Sequence, residues 1–374
     1  MSDQAVERVR AAITRAARGL VDREVLVELI VLAAVAGEHL LVIGPPGTAK
    51  SVAARRVARE LGGRRFEYLL GRFTEPSELF GPVDLRLLRE GRVQTDVSGM
   101  LPEAEVAFLD EIFLGSTAIL NTLLGVLQER RFRRGHTDLA CPLRVCVAAS
   151  NALPDEVALA AFADRFLIRV FVEPVPYPML EALLEGGWAA ETKGEEEPPA
   201  AGMADLDELQ TRARAMDLSA VRPEIAQALR TLRRAGVQLS DRRAVQCQRL
   251  IAAAAALAGR DAPTDADLWP LLFAVPTPEE QSIAQDVLQD LLSRTTSSAL
   301  PAAADAASRG PLARAERLVR VAEEVLAERP PEPGSAWHLR LEGVLREIDA
   351  SFETAHLPSA LADARAALVA ALPS

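Results

Sequence analysis

Short apolar runs alternate with longer amphipathic stretches along the first half of this 374-residue chain. The amphipathic stretches repeat their apolar positions with the period of a helix, whereas the short runs have the length of buried strands. The pattern predicts helices over 3–18, over 21–35 and from Lys50 onwards, and strands over 39–43, 66–70, 106–109, 143–149 and 167–172. Such an alternation is typical of a largely parallel sheet with helices on both faces. We therefore expect an α/β core.

Residues 190–202 interrupt this pattern with an acidic, proline-rich segment, a composition typical of linkers. Beyond this segment every periodic stretch has helical spacing. The predicted helices span 204–215, 223–235, 241–259, 265–274, 311–328, 336–355 and 360–371. We expect four parts: the α/β core at 1–189, the linker at 190–202, an all-helical domain at 203–300 and a C-terminal helical region at 301–374.

The formal net charge of the chain is −11. Affinity for nucleic acids comes mainly from cationic contacts to phosphates, so an acidic chain is poorly suited to bind them. A local basic patch remains the exception, and its candidates are Arg130, Arg131, Arg133 and Arg134. The three cysteines lack metal-binding spacing, and no apolar run is long enough to cross a bilayer. These features favour a cytoplasmic protein without a membrane span.

The segment GPPGTAKS follows a predicted strand and precedes a predicted helix. Its residues are Gly44, Pro45, Pro46, Gly47, Thr48, Ala49, Lys50 and Ser51. In this context a glycine-rich turn wraps backbone N–H groups around the phosphates of a nucleotide such as ATP. Lys50 is expected to reach phosphate oxygens, and the Ser51 hydroxyl is expected to bind Mg²⁺. Ala49 stands where the pattern prefers glycine, and a chance glycine turn is the alternative.

Two further strands end in polar residues suited to the same chemistry. The run VAFLDE ends in Asp110 and Glu111, and Asn151 follows the run over 143–149. Asp110 is expected to hold Mg²⁺ through water, while Glu111 polarises the attacking water and Asn151 orients it. A role for Asn151 as a cap of the following turn is the alternative.

Two arginines are candidates for contacts to the γ-phosphate. Arg165 belongs to the segment 163–166 directly before the strand at 167–172, where it could project into the nucleotide of a neighbouring subunit. Arg242 opens a helix of the second domain behind Ser240, a good N-cap residue, and could reach the γ-phosphate from there. The alternatives are a surface salt bridge for Arg165 and a capped helix with solvated arginines for Arg242.

The chain resembles the MoxR branch of the AAA+ ATPases, and most closely its RavA-type members. The resemblance extends over about residues 5–300. It rests on seven ordered blocks: GPPGTAKS, RFTEPSELFGPVDL, SGMLPEAEVAFLDEIF, AILNTLLGVLQERRF, AASNALP, ADRFLIRV and LSDRRA. Residues 301–374 depart from the RavA pattern, because they are too few and too helical for the β-rich region of long RavA-type members.

The resemblance implies a five-stranded parallel core, an all-helical lid and a hexameric ring that hydrolyses ATP with Mg²⁺. It implies that Asn151 is sensor 1, Arg165 the arginine finger and Arg242 sensor 2. It also implies a partner with a von Willebrand factor A domain and a protein client that the ring remodels or matures. Two other functions remain open: a nucleic-acid motor or loader, and a nucleotide-gated scaffold with slow turnover.

Two long insertions interrupt the core, at 71–105 and at 131–142, the second with Gly135 at a predicted hairpin tip. The resemblance identifies them as the helix-2 insert and the pre-sensor-1 hairpin, which face the pore or the top of the ring. Each leads into a strand that ends at a sensing residue. We therefore expect both insertions to transmit the nucleotide state, through a surface that includes Leu79, Phe80, Arg133 and Arg134.

Overall fold

The short apolar runs form a five-stranded, entirely parallel sheet with the order β2-β3-β6-β1-β7. The computed structural model describes residues 2–192, 197–308, 311–327, 335–352 and 357–372. Its strands are β1 (Leu40–Ile43), β2 (Arg65–Leu69), β3 (Val106–Asp110), β4 (Arg131–Arg134), β5 (Thr137–Ala140), β6 (Val145–Ser150) and β7 (Ile168–Phe171). The remaining pair, β4 and β5, forms a separate antiparallel hairpin. The predicted parallel α/β fold is confirmed.

Helices cover the sheet and form most of the other described residues. They are α1 (Ser2–Ala17), α2 (Glu24–Ala36), α3 (Lys50–Glu60), α4 (Pro76–Phe80), α5 (Leu85–Arg89), α6 (Thr117–Leu124), α7 (Val157–Ala163), α8 (Leu180–Thr192), α9 (Met203–Ala215), α10 (Arg222–Arg234), α11 (Asp241–Leu257), α12 (Pro278–Val287), α13 (Gln289–Leu292), α14 (Pro301–Ser308), α15 (Pro311–Ala327), α16 (Ser335–Ser351) and α17 (Ser359–Ala371). Within the described ranges, none of them has the length and apolar character required to span a membrane.

The continuous apolar runs follow from burial of the sheet on both faces. Leu40 and Val42 of β1 point into one hydrophobic core, and Leu41 and Ile43 point into the other. The edge strand β2 instead alternates exposed and half-buried residues. Side chains of successive strand residues point to opposite faces, so a strand can be apolar at every position only where both faces are covered.

Helix α2 is buried from Leu26 to Ala36, and its apolar character on all sides fits this position. It packs against α3 of the α/β core and against α9, α11 and α14 of the following helical part. Side chains of all these elements belong to one continuous hydrophobic core. The helical part is therefore fixed to the α/β core by apolar burial, which is the largest favourable term in folding.

The chain divides into two compact units. Unit 1 comprises Met1–Val175 and Ala182–Ser308, and unit 2 comprises Pro176–Glu181 and Arg309–Ser374. Unit 2 has its own core, formed by the apolar faces of α15, α16 and α17. The predicted C-terminal region starts at residue 301, whereas α14 belongs to unit 1. Its N-terminal amides donate to the buried carboxylate of Glu28, with Ala303 N to Oε2 at 2.7 Å.

Two predicted local features differ from the structure. The predicted helix over 265–274 is a pair of 3₁₀ turns, Asp265–Asp267 and Trp269–Ala274, because Pro270 cannot donate the hydrogen bond that a continuing α-helix requires. In the predicted linker, α8 continues to Thr192, while residues 193–196 lie outside the described residues.

The two insertions, at 71–105 and 131–142, pack against each other and are joined by hydrogen bonds. His136 N of the hairpin donates to Val93 O at 2.8 Å, and Thr95 N donates to Thr137 Oγ1 at 2.8 Å. The rings of Phe80 and Phe132 stack with their centroids 5.4 Å apart. Phe80 and its neighbour Leu79 are completely buried, so our placement of these two side chains on a transmission surface is wrong. Their apolar side chains hold the insertions together.

The predicted basic patch is largely neutralised within its own hairpin. Arg131 pairs with Asp138 at 2.8 Å, and Arg133 pairs with Glu129 at 2.5 Å. Arg130 turns inwards, and burial lowers the pKa of its guanidinium to about 10. Few cations of this segment therefore remain free to contact a nucleic-acid backbone.

Candidate functional site

The glycine-rich turn connects the end of β1 to the start of α3 in a backbone path that few residues can adopt. A Cβ atom at Gly44 would lie 2.1 Å from the carbonyl oxygen of Val172, so only glycine fits there. Ala49 has φ 59° and ψ 23°, a left-handed conformation that costs an L-residue about 1–2 kcal/mol. The turn leads directly into the N-terminus of α3, whose free amides favour anions.

Lys50 lies inside this turn and is 7% exposed. Its Nζ donates to Gly44 O at 2.7 Å and to Pro45 O at 2.9 Å. Burial lowers the pKa of Lys50, while the carboxylates of Asp110 and Glu111 oppose that shift. The ammonium group is thus held among loop carbonyls and next to two carboxylates, in reach of a phosphate bound by the turn.

Arg23 fixes the turn from outside, a role that the sequence did not reveal. Its Nε donates to Thr48 O at 2.8 Å, and its Nη2 donates to Glu173 O at 2.6 Å. The side chain is 4% exposed. No motif spacing identifies this residue, because it lies in the loop before α2 and reaches the turn through backbone carbonyls of segments remote in sequence.

The strand ends bring Asp110, Glu111 and Asn151 together. Because β3 and β6 are neighbouring parallel strands, the residues that follow them meet at one edge of the sheet. Asn151 Nδ2 donates to Glu111 Oε1 at 2.5 Å, and Glu111 N donates to Asp110 Oδ1 at 3.0 Å. Burial and the charge of Asp110 raise the pKa of Glu111, whereas Lys50 and Asn151 oppose the shift. A carboxylate so held can polarise a water molecule.

The protein ligands available for a metal suit Mg²⁺ bound to a nucleotide. Ser51 follows Lys50 at the start of α3, and Asp110 ends β3 beside Lys50. No group of three or more His, Cys, Asp or Glu side chains within the described ranges could enclose a metal ion. Mg²⁺ typically takes one or two protein oxygens and fills its other positions with phosphates and water. We call Lys50, Ser51, Asp110, Glu111 and Asn151 the P-loop group.

The two candidate arginines lie together, in a second group. Burial and the nearby charge of Arg165 lower the pKa of Arg242. Among the described residues, the hydrogen bonds of Lys50, Glu111 and Asn151 involve neither candidate arginine.

Arg243, the residue after Arg242, is 1% exposed and joins the helical part to the α/β core. Its Nη2 donates to Leu167 O at 2.6 Å and to Ala274 O at 2.7 Å, and its Nη1 donates to Asp164 Oδ1 at 3.1 Å. We had not assigned it a role. Helical periodicity offered a signal, because it lies one turn before the buried Cys247 on the same face of α11.

Arg169 of β7 completes the second group. Burial and the charge of Arg243 lower its pKa to about 9, and its Nε and Nη1 have no hydrogen-bond partner. The Nε of Arg165 is likewise buried and without a partner. We call Arg165, Arg169, Arg242 and Arg243 the arginine group. Asp164 forms an ion pair with Arg243, and the charges of Glu38 and Glu280 also act on Arg242 and Arg243. Glu38 in turn pairs with Arg249, so the arginine group keeps an excess of positive charge.

The fold and the P-loop group define the class of the protein. A glycine-rich turn, an acidic strand end and a polar strand end meet at the carboxyl edge of a parallel sheet, and a helical lid follows. This is the architecture of a AAA+ protein. Residues 7–211 match the family described as the MoxR domain in the MoxR-vWA-beta-propeller ternary systems, and residues 216–288 match an AAA lid domain. The chain belongs to this MoxR family.

Individual relatives agree with this membership. Two uncharacterized proteins of Methanocaldococcus jannaschii are 33% identical over 250 residues and 40% identical over 155 residues; these segments cover 66% and 41% of this chain. Chaperone MoxR1 of Mycobacterium tuberculosis is 29% identical over 171 residues, or 45% of each chain. The chain spans 65% of the length of the first relative and 41% of the second.

A solved structure shares the fold. A candidate ATPase from Cytophaga hutchinsonii superposes with a TM-score of 0.62 over 79% of this chain and 97% of its own, at 15% sequence identity.

Proposed function

We propose that the protein is an ATP-hydrolysing motor that assembles as a ring, by family resemblance a hexamer, and remodels or matures a protein client. The observation that supports the ring most directly is the difference in how the charges of the two groups are balanced. The P-loop group holds its own cation and carboxylates, whereas the arginine group has surplus cations and buried N–H groups without partners. Arg165 and Arg242 are only half-buried, so these two members of the arginine group can still meet an anion from outside the chain.

In this proposal the P-loop group binds and activates one nucleotide. The amides at the start of α3 and the ammonium of Lys50 bind its phosphates, and Ser51 and Asp110 hold Mg²⁺. When bound, Mg²⁺ neutralises negative charge on the β- and γ-phosphates. Glu111 polarises the attacking water, while Asn151 holds the Glu111 carboxylate in place through its amide.

The arginine group then serves the nucleotide of the neighbouring subunit. Arg165 and Arg242 lie close enough that the charge of one lowers the pKa of the other. We therefore propose that Arg242 acts beside Arg165 on the same neighbouring phosphate, and not alone on the nucleotide of its own subunit. Such an arginine stabilises the charge that develops as the phosphoryl group is transferred.

The family description supports a partner with a von Willebrand factor A domain, since it names MoxR-vWA-beta-propeller systems. The similarity to a MoxR chaperone supports a protein client. The transmission surface that we predicted would then use exposed parts of the joined insertions, such as Leu85, Leu88 and Arg133. A special closeness to RavA-type members and a cytoplasmic location stay predictions. Pairing within the basic hairpin makes a nucleic-acid motor the weaker candidate.

Mixed rings test the shared site. Arg165→Ala subunits keep Lys50, and Lys50→Ala subunits keep Arg165, so each protein alone should be nearly inactive. In an equal mixture about a quarter of the interfaces would pair an intact Lys50 with an intact Arg165, because both faces of a ring interface are chosen independently. The measurement is the ATPase rate against mixing ratio, with mixed rings verified by crosslinking. Mixed rings without any recovered activity would rule out a site shared in this way.

A further inference from the structure

The loop between α2 and β1 contains a buried carboxylate that receives hydrogen bonds from the lid. Glu38 is 4% exposed. Its carboxylate accepts from Gln246 Nε2 at 3.0 and 3.2 Å and from Arg249 Nη1 at 2.8 Å. Burial raises the pKa of Glu38, and the charges of Arg249 and Arg130 oppose that shift. The mechanism described above leaves this carboxylate without a role.

Glu38 determines which way the Gln246 amide points. The NH₂ end of this amide donates to Glu38, which leaves its carbonyl oxygen to accept from Arg242 Nε at 3.2 Å. Arg242 and Gln246 lie one turn apart on α11, so their side chains are neighbours. The negative charge of Glu38 also raises the pKa of Arg242, which burial and Arg165 lower. Glu38 therefore supports Arg242 both through a hydrogen-bonded link and through charge.

Arg130, the residue that directly precedes the β4–β5 hairpin, contacts the same loop from the other side. We call this position the root of the hairpin. Arg130 lies between a π-helical turn and β4, with φ 54°. Its Nη2 donates to Gly37 O at 2.8 Å, and its Nη1 donates to Leu127 O at 2.9 Å. Glu38 is the largest charge that opposes the lowered pKa of Arg130. One short loop thus holds the arginine of the lid and the root of the hairpin.

We infer that Glu38 is a positioning residue, which fixes Arg242 for its action on the neighbouring nucleotide. The inference rests on the proposed function of Arg242. Without the carboxylate, the Gln246 amide is free to reverse, and the repulsion between Arg242 and Arg165 is uncompensated. A displacement of about 1 Å in a charge-stabilising group can lower a rate about 100-fold, so a partial loss of position gives a smaller but measurable effect.

The test is a double-mutant cycle between Glu38→Gln and Arg242→Ala in the full chain, with kcat and KM for ATP as readouts. Glu38→Gln keeps the shape and an acceptor oxygen but removes the charge. We expect it to lower kcat about 5-fold with KM within about twofold, because a group that acts in the transition state affects kcat. In the Arg242→Ala background the same change should lower kcat by less than about twofold, since coupled residues are not additive.

Glu28→Gln is the matched control. It is the same substitution at a carboxylate that is also 4% exposed, on the helix that precedes the loop. The Glu28 carboxylate accepts backbone N–H groups of Ala302 and Ala303. Its substitution should change kcat by the same small factor in both backgrounds.

Gln246→Leu provides a second variant in case Glu38→Gln does not fold. It should lower kcat and be non-additive with Arg242→Ala in the same way. If Arg242→Ala had the wild-type kcat, the proposed role of Arg242 and the inference would both be overturned. If Arg242→Ala lowered kcat but Glu38→Gln and Gln246→Leu either did not, or multiplied with it, the inference alone would be overturned.

Discussion

The P-loop group and the arginine group lie in the same unit but differ in how their charges are balanced. In the P-loop group the carboxylates of Asp110 and Glu111 face Lys50, and Glu111 accepts a hydrogen bond from Asn151. In the arginine group, the cations repel one another, and the buried Nε atoms of Arg165 and Arg169 have no partner. In the P-loop group the cation therefore has carboxylate partners within the chain, whereas in the arginine group part of the positive charge has none.

This difference in charge balance bears on whether the arginine group acts on a nucleotide bound by another subunit. Proteins do not generally bury guanidinium N–H groups without partners, because an unsatisfied buried donor costs about 1–3 kcal/mol. The contact between Arg243 and Asp164 shows that the fold can supply a partner where one is needed for stability. In the ring that we propose, the half-buried Arg165 and Arg242 would meet an anion from a second chain, and a nucleotide in the P-loop group of a neighbouring subunit would supply it.

The largest expected effect is in the P-loop group. Glu111→Gln should lower kcat about 100-fold or more while nucleotide binding is kept, because the loss of a positioned base affects the water and not the phosphates. Lys50→Ala should remove nucleotide binding itself. The measurements are the steady-state ATPase rate and the binding of a fluorescent ATP analogue. A Glu111→Gln protein that turned over at the wild-type rate would show that this group is not the hydrolytic one.

Substitutions of the adjacent residues Arg242 and Arg243 are expected to have effects of intermediate size, one on kcat and the other on stability. Arg243→Met should destabilise the fold by about 3 kcal/mol, because it leaves a carboxylate and several buried carbonyls without their donor. Arg242→Met should change stability little but lower kcat about 10-fold. Urea unfolding and kcat of both variants provide the test. Equal stability losses in the two variants would contradict the assignment of one arginine to the fold and the other to the nucleotide.

The sequence was most informative where local rules decide the structure. Fully buried strands must be apolar on both faces, which identified β1, β3, β6 and β7, and the glycine-rich turn predicted the start of α3. These local rules failed where contacts between segments remote in sequence determine the position of a side chain. The neighbouring residues Arg242 and Arg243 have the same chemistry, and only the packing of α11 against residues 164–167 and the segment around Ala274 determines which one is buried.

The two joined insertions show the same limit of prediction from local sequence patterns. The hairpin at Gly135 followed from turn chemistry. That Phe80 stacks on Phe132 depends on the meeting of two segments some fifty residues apart in sequence, and no local pattern encodes this contact. An apolar residue in a long insertion fits a client surface and an internal core equally well until its packing is known.

The smallest expected effect concerns the scaffold that both groups share. Helix α2 packs against α3, which carries Lys50, and against α11, which carries Arg242. Its Glu28 is buried, and burial raises the pKa of this carboxyl group from 4.5 to about 7 despite two backbone N–H donors. The unfolded chain therefore releases this proton at a lower pH than the folded chain. Between about pH 4.5 and pH 7 the folded state binds more protons, so stability contributed by this group falls as pH rises.

Glu28→Gln removes the ionisation and should reverse this loss. Above pH 7 the shift corresponds to a penalty of at most about 3 kcal/mol, since each pKa unit is about 1.4 kcal/mol. Because glutamine offers a single acceptor oxygen, the variant also loses about 1–2 kcal/mol of hydrogen bonding at both pH values. We therefore expect a net gain of about 1–2 kcal/mol at pH 8 and a net loss of up to about 1 kcal/mol at pH 5, where Glu28 is already neutral in the folded chain. Urea unfolding at both pH values measures the difference.

Glu7→Gln, at a side chain that is 74% exposed, is the control and should change stability little at either pH. An equal effect of Glu28→Gln at pH 5 and pH 8 would show that the carboxyl group is ionised throughout, and that α14 is held by a charged cap.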